Sequence, residues 1–173
     1  METEVYPGGD DRASHSYQGK KTERNKAMFA QPGTAYVYMT YGMYFCFNVS
    51  SRGEGAAVLL RALEPTAGIE QMKQLRKAST KSKKTKEVKD KELCNGPSKL
   101  CQAFGINKAN TNMMDMADGE SEMWIEDHDS GDVNVVVSTR IGIAGAGEES
   151  ANKPFRLYEK DNQCVSVIDK KTK

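Results

Sequence analysis

The chain has 173 residues, a formal net charge of +1 and 38% hydrophobic residues. This length allows one domain with a substantial core. No stretch approaches the roughly eighteen apolar residues of a membrane-spanning helix, so no membrane association is expected. The near-neutral charge argues weakly against a nucleic-acid partner.

Charge is distributed unevenly along the chain. Residues 73–91 contain nine Lys or Arg against two Asp or Glu, whereas residues 115–132 are acidic and contain no Lys or Arg. Two such blocks create a polar field whose basic side could hold a polyanion. Solvated surface segments explain the same pattern, and on charge alone we favour them. The role of the basic residues 81–91 stays open.

The cysteines do not form a metal-binding pattern. Cys46, Cys94, Cys101 and Cys164 are scattered, and Cys94 and Cys101 are too far apart for a Cys-x-x-Cys motif. We therefore expect free thiols in a reducing compartment, and no metal site.

The first half of the chain predicts a loop followed by a β-hairpin. Residues 7–33 have a loop composition, with a short helix expected at residues 25–29. From residue 34 to 50, apolar side chains alternate with Tyr and Thr, which predicts strands. Four of the seven tyrosines lie in this stretch. Because a glycine interrupts the alternation, Tyr41 and Gly42 are predicted to form the hairpin tip.

The second half predicts strands and helices in mixed order. Residues 56–63 form an apolar run typical of a buried strand, although it contains Arg61, which must be paired if it is buried. Five further segments are expected. Two are helical: a helix through Ile69, Met72 and Leu75, and residues 87–104, interrupted at 95–97 and resumed with Ser98 as N-cap. Three are strands, at 133–143, 155–158 and 165–168. Because these elements lack a βαβ alternation, we predict an α+β fold.

Six segments resemble one family. They are METEVY at 1–6, ASHS at 13–16, RNKAMF at 24–29, PGTAYVYMTYGMYFCFNVSS at 32–51, LLRALEP at 59–65 and LCNGPSKLCQAFGINK at 93–108. In this order they resemble the alkyladenine (3-methyladenine) DNA glycosylases, the monofunctional vertebrate-type purine glycosylases. The resemblance implies one catalytic domain over residues 1–173 that lacks the family's usual N-terminal segment. It also implies a curved, largely antiparallel sheet with a protruding β-hairpin, similar to the C-terminal domain of formyltransferases.

The resemblance assigns the hairpin tyrosines a role on DNA. An enzyme that acts on a base must take it out of the duplex, and an inserted side chain can fill the gap. By resemblance, Tyr41 is this intercalating wedge and Met43 flanks it. The implied base-binding residues are Tyr6 and Tyr38, which sandwich the base, His15 beside it, and Asn48, which disfavours normal guanine. Tyr36 and Tyr44 are expected to be structural.

The resemblance also assigns the chemistry. Glu4 matches the general base that activates water, Arg61 matches the residue that orients it, and the backbone carbonyl near Ile141 matches a further water ligand. Within an extended strand we expect Glu2 to lie on the opposite face from Glu4. Water rather than a lysine is the expected nucleophile, so the products are a free base and an abasic site. No metal or organic cofactor is expected.

The implied substrates are 3-methyladenine, 7-methylguanine, ethenoadenine and hypoxanthine in double-stranded DNA. The expected protein is a monomer in the nucleus, with mitochondria as a second compartment. Three alternatives stay open: a non-catalytic relic that binds damaged DNA, because N-terminal strands are missing; a formyltransferase-like enzyme; and a structural interaction module.

Overall fold

The computed structural model describes residues 1–79, 87–127 and 131–169. Its strands are Glu2–Tyr6 (β1), Ala35–Thr40 (β2), Tyr44–Ser50 (β3), Ala57–Ala62 (β4), Val135–Ser138 (β5) and Arg156–Glu159 (β6). They form one six-stranded sheet in the order β2-β3-β4-β1-β6-β5, and every pairing is antiparallel. The predicted α+β class with a largely antiparallel sheet is confirmed. The similarity to formyltransferases stays a prediction.

Short helices surround the sheet. The α-helices are Ile69–Ala78 (α1), Pro97–Phe104 (α2), Lys108–Thr111 (α3) and Glu148–Ala151 (α4), and 3-10 helices occupy Lys26–Phe29, Asp90–Glu92 and Ala144–Ala146. No helix in the described part of the chain has both the length and the apolar character to cross a membrane.

One face of the sheet carries the main apolar core. Val37 and Phe47 from β2 and β3 pack with Met72 of α1 and with Leu100 and Cys101 of α2. Fully burying an apolar side chain of this size stabilises a fold by about 1.5–3 kcal/mol. The core therefore fixes the sheet against α1 and α2, and leaves its opposite face to other residues.

A row of paired residues crosses the whole sheet on that opposite face. From β2 to β5 it consists of Tyr36, Asn48, Leu59, Glu4, Arg156 and Ser138. Directly paired residues of neighbouring strands point to the same face. The pairing thus brings Glu4, Asn48 and Tyr36 onto one surface, although they are far apart in sequence.

The hairpin prediction is confirmed. β2 and β3 are joined by a turn in which Met43 N–H donates to the Thr40 carbonyl at 3.2 Å. Tyr41 and Gly42 both have positive φ, of 51° and 68°. Glycine adopts this conformation without strain, whereas tyrosine does so at a cost. The tip is nevertheless built around Tyr41, whose side chain is 87% exposed.

Three predicted element boundaries are wrong. Helix α2 begins at Pro97 after an N-cap at Gly96, so Ser98 lies inside the helix. Proline suits the first helical position because its missing N–H would have no partner there. Within the predicted strand 133–143, only Val135–Ser138 pairs with β6. Within the predicted helix of residues 87–104, the part before the interruption contains only the 3-10 turn Asp90–Glu92.

The predicted strand at residues 165–168 is also absent. Its backbone groups bind buried side chains instead of a neighbouring strand: Ser166 N–H donates to Glu2, and the Val167 carbonyl accepts from Arg156. Of the predicted basic segment 81–91, residues 81–86 lie outside the described residues.

Candidate active site

A cavity of about 170 Å³ opens on the sheet face opposite α1 and α2. Its lining consists of Tyr6, Ala13, His15, Met28, Tyr36, Tyr38, Asn48 and Ile143. This volume is far above the roughly 10–15 Å³ that a single water requires. The structure brings together all four predicted base-binding residues in this one cavity.

Four of the eight residues that line the cavity carry an aromatic ring. His15 meets Tyr38 edge to face, with ring centroids 4.6 Å apart and planes at 75°. Tyr36 lies 5.4 Å from Tyr38, and its hydroxyl is hydrogen-bonded to Nδ1 of His15 at 2.8 Å. Tyr36 is buried, as expected of a structural residue, but it also lines the cavity, which the sequence analysis missed.

Burial keeps these rings uncharged near neutral pH. It lowers the pKa of His15 below its ordinary value, and the nearby Arg24 acts in the same direction. Burial raises the pKa of Tyr36 to about 12, and it also raises the pKa of Tyr38. The cavity therefore presents neutral aromatic faces, which suit a flat, electron-poor ring.

The cavity wall connects directly to a buried carboxylate. Glu4 is 0% exposed. Its Oε2 accepts a hydrogen bond from the hydroxyl of Tyr6 at 2.9 Å, and its Oε1 accepts one from the Ile141 N–H at 2.8 Å. Arg61 Nη1 lies 3.5 Å from Oε1. Arg61 and Ile141, the two residues predicted to lie beside the general base Glu4, thus both contact it. Ile141 does so through its N–H. A role for its carbonyl stays a prediction.

The prediction that Glu2 lies on the opposite face from Glu4 is wrong. Residues two apart along a strand share a face. Both carboxylates are buried, and Arg61 lies between them, with its Nε 3.5 Å from Glu2 Oε1. The β1–β4 register skips Arg61, because Glu2 pairs with Ala62 and Thr3 with Leu60. Such a bulge redirects a side chain, and here it coincides with the arginine that contacts both acids.

Further polar contacts complete the pairing of Glu2. Arg156 Nη1 donates to Glu2 Oε1 at 2.8 Å, and Ser166 N–H donates to Oε2 at 2.7 Å. The Nε of Arg61 also donates to the hydroxyl of Ser166 at 3.0 Å. Arg61 is largely buried, with its side chain 12% exposed, and it is paired as expected.

The buried pair Asp11–Arg140 is a part of the site that the sequence analysis missed. Both nitrogens of the guanidinium fork bind the carboxylate, at 2.5 and 2.7 Å. Burial alone would raise the pKa of Asp11, but the hydrogen bonds and charge of Arg140 lower it overall. The two residues are 129 positions apart, so only the folded chain reveals their contact.

The predicted intercalating residues lie outside the cavity, at the tip of the hairpin that carries Tyr38. Tyr41 is 87% exposed and Met43 is 67% exposed. The guanidinium of Arg24 lies 5.5 Å from the Tyr38 ring, so a positive charge stands near the cavity. The structure therefore exposes apolar groups at the hairpin tip and holds a cation beside a ring that lines the cavity.

A larger groove of about 890 Å³ lies between α1, α2 and the start of β3. Among the described residues that line it there is no Asp or Glu, so it lacks a carboxylate for base catalysis. In the whole described part of the chain, no three His, Cys, Asp or Glu side chains are grouped so as to hold a metal ion. All four cysteines are buried and free.

Comparison with known proteins identifies relatives over nearly the whole chain. The family model for methylpurine-DNA glycosylase matches residues 1–163. The chain is 49% identical over 172 residues to the DNA-3-methyladenine glycosylase of Homo sapiens and 50% identical over 173 residues to that of Mus musculus, with 98% of the chain aligned in both cases. These alignments cover 57% and 51% of the two relatives, so the chain spans little more than half their length.

A bacterial relative is covered more completely. The chain is 48% identical over 168 residues to a putative 3-methyladenine DNA glycosylase of Clostridium tetani, of which it covers 81%. The match of the family model extends over nearly the whole chain and includes every residue of the predicted site. The chain therefore belongs to the methylpurine-DNA glycosylase family.

Proposed function

We propose that the protein is a monofunctional DNA glycosylase of base-excision repair that removes damaged purines from double-stranded DNA. The observation that carries this proposal is the position of Glu4, a buried carboxylate that is hydrogen-bonded to a wall residue of an aromatic cavity. The names of the relatives support the same reaction. The proposed substrates are 3-methyladenine, 7-methylguanine, ethenoadenine and hypoxanthine.

The chemistry requires one base and one water molecule. Glu4 accepts a proton from water, whose oxygen forms a new bond to C1′ of the sugar while the N-glycosidic bond breaks. The bonding electrons leave with the purine, and the sugar passes through a state with oxocarbenium character that the carboxylate stabilises. Arg61, 3.5 Å from Glu4, is proposed to orient the carboxylate and the water. The products are a free base and an abasic site.

Substrate selection is proposed to occur in the aromatic cavity. Tyr6 and Tyr38 would enclose the extruded base, with His15 beside it. A cationic alkylated purine stacks more favourably on electron-rich rings than a normal purine does. The Asn48 side chain is buried and donates to the Tyr36 carbonyl at 3.1 Å. This bond fixes the amide in the cavity wall, where it would crowd the exocyclic amine of guanine.

The hairpin supports binding to a duplex. An exposed aromatic group at a turn can enter the minor groove and fill the space of an extruded base. Tyr41 is proposed as this group, with Met43 beside it, and Arg24 supplies positive charge near the cavity. We further propose that the protein acts as a monomer in the nucleus, where its DNA substrate is found.

Single-turnover release of ethenoadenine from a duplex tests the proposal. We expect base release by the wild-type chain. Release should be slower by at least about 100-fold in Glu4→Gln, which keeps the shape of the side chain but cannot accept the proton. Glu120→Gln, at an exposed position, is the matched control and should retain the full rate. A folded wild-type chain that binds the lesion duplex without releasing the base would overturn the proposal and favour a non-catalytic relic.

A further inference from the structure

We propose that the buried pair Asp11–Arg140 is a positioning device that holds both uncharged hydrogen-bond donors of Glu4 in place. The inference rests on the proposed function, since it assigns Arg140 a part in organising the general base. Arg140 is a positioning residue rather than a catalytic one, because it acts through Ile141 and Tyr6.

Both terminal nitrogens of the Arg140 guanidinium, Nη1 and Nη2, make two hydrogen bonds each. Its side chain is 0% exposed. Besides the two bonds to Asp11, Nη1 donates to the Val5 carbonyl and Nη2 to the Ser150 carbonyl, each at 3.0 Å. One side chain thus joins β1, the loop that contains Asp11, and helix α4. A planar group with several fixed donors can hold three segments in one geometry, which a lysine cannot do.

The first donor to Glu4 is fixed through the chain itself. Ile141 follows Arg140 directly, and its N–H donates to Glu4 Oε1 at 2.8 Å. Because Arg140 binds the carbonyl of Val5, the residue after Glu4, the same arginine anchors both partners of this bond. A shift of Arg140 would therefore move the Ile141 N–H relative to the carboxylate.

The second donor is fixed by ring stacking. The Arg140 guanidinium lies 4.7 Å from the centroid of the Tyr6 ring, and the Phe155 ring lies 5.2 Å away. The Tyr6 hydroxyl is the donor to Glu4 Oε2 at 2.9 Å. The cation therefore fixes the ring that supplies this hydroxyl, and one buried charge organises two neutral donors on one carboxylate.

Asp11 extends the same device to the base cavity. Ser14 N–H donates to the Asp11 carbonyl at 2.9 Å, and Ala13 and His15, both in the cavity lining, follow closely in the loop. Burying an ion pair costs desolvation that its attraction barely offsets, so the pair is a poor means of stabilising the fold alone. The contacts that the Asp11–Arg140 pair makes on both sides of Glu4 therefore explain its presence better than a contribution to stability does.

The test separates chemistry, binding and local structure in Arg140→Lys and Asp11→Asn. We expect both variants to bind an ethenoadenine duplex within about two-fold of wild type and to release the base more slowly, with a loss on the order of 100-fold if the donors move by about 1 Å. Amide hydrogen exchange of Ile141 should accelerate, because its N–H loses the fixed acceptor. Leu100→Val, a change in the opposite core, is the control for lowered stability and should alter neither Ile141 exchange nor base release.

Each readout can overturn the inference. Base release within two-fold of wild type in both variants, or unchanged Ile141 exchange, would show that Asp11–Arg140 does not position the donors. A parallel loss of binding, release and all amide protection would show a purely structural pair. If wild type itself released no base, the proposed function would fail, while the Ile141 exchange would still decide whether the pair holds this N–H.

Discussion

Tyr6 and Glu4 lie two residues apart on strand β1, and the hydroxyl of Tyr6 donates to Oε2 of Glu4 at 2.9 Å. The contact follows from the strand period, since every second residue points to the same face. A wall residue of the aromatic cavity, Tyr6, is therefore hydrogen-bonded directly to the proposed general base, Glu4. Burial, with the negative charge of Glu4 as a second cause, raises the pKa of Tyr6, so the hydroxyl stays protonated and can donate.

Removing this hydroxyl should affect chemistry more than binding. Tyr6→Phe keeps the aromatic ring for stacking but deletes the donor to Glu4. A hydrogen bond to a charged group is worth about 1.5–3 kcal/mol, so we expect base release to slow by roughly 10- to 100-fold at little change in the Kd for a lesion duplex. Single-turnover kinetics and a binding titration measure the two quantities. Tyr44→Phe is the matched control, and a Tyr6→Phe enzyme with the wild-type rate would refute a role for this bond.

Glu2 is expected to matter for stability. It accepts hydrogen bonds from Arg156 and from Ser166 N–H, and its Oε1 lies 3.5 Å from Arg61. Glu2→Gln would leave two arginines with one carboxylate fewer, and breaking a buried pair costs about 3–5 kcal/mol. Urea unfolding measures this loss. Glu23→Gln, which removes an exposed partner of Lys26, should leave the unfolding midpoint unchanged, and equal midpoints for the two variants would contradict the prediction.

Local sequence patterns were sufficient to predict the hairpin of β2 and β3. The alternation from residue 34 to 50 and its interruption by Gly42 predicted β2, β3 and the exposed Tyr41, because strand period and turn chemistry depend on near neighbours. A charged residue within an apolar run likewise indicated that Arg61 has a buried partner. The family resemblance then selected Tyr6, Tyr38 and His15 from several aromatic candidates, and these three line one cavity.

Local residue patterns did not predict which distant strands and side chains pair. The register that aligns Asn48, Leu59 and Glu4 depends on how distant strands pair, and residue patterns do not determine it. Residues 165–168 have the apolar, β-branched composition of a strand, yet buried side chains take their backbone hydrogen bonds. A charged pair such as Asp11–Arg140 has no local signature at all, since neither residue stands in an unusual stretch.

His15 should make stability fall in mild acid. Burial, together with Arg24, lowers its pKa below the ordinary value of 6.5, so at a pH just under 6.5 the unfolded chain binds a proton that the folded chain does not. The stability that His15 contributes is therefore fully present above pH 6.5 and is lost as the pH falls below it.

The measurement is urea unfolding at several pH values between 7.5 and 5. Wild type should lose stability over this range, and His15→Gln, which cannot take up a proton, should lose less. Asp11 does not interfere, because its pKa is already lowered from 3.8 and it titrates only in stronger acid. Parallel pH curves for the two proteins would show that His15 is protonated equally in the folded and unfolded states.

Tyr41 is expected to lower the stability of the fold while it serves base extrusion. Its φ of 51° lies in the left-handed region, where a tyrosine is strained and an asparagine is tolerated. Both central residues of the turn have positive φ, the geometry that Asn-Gly fits best. Tyr41→Asn should therefore stabilise the protein by about 1 kcal/mol, because the strain is relieved and no buried contact is lost.

The same change should abolish base extrusion, because asparagine cannot fill the stack that the base leaves. The fluorescence of ethenoadenine, which is quenched while the base is stacked in a duplex, reports extrusion directly. Met113 is the matched control, since it is also exposed and has a φ of 75°, but it lies in the loop that follows α3. Met113→Asn should stabilise the protein and leave extrusion intact. Extrusion at the wild-type level in Tyr41→Asn would mean that another residue opens the duplex, with Met43 as the first to test.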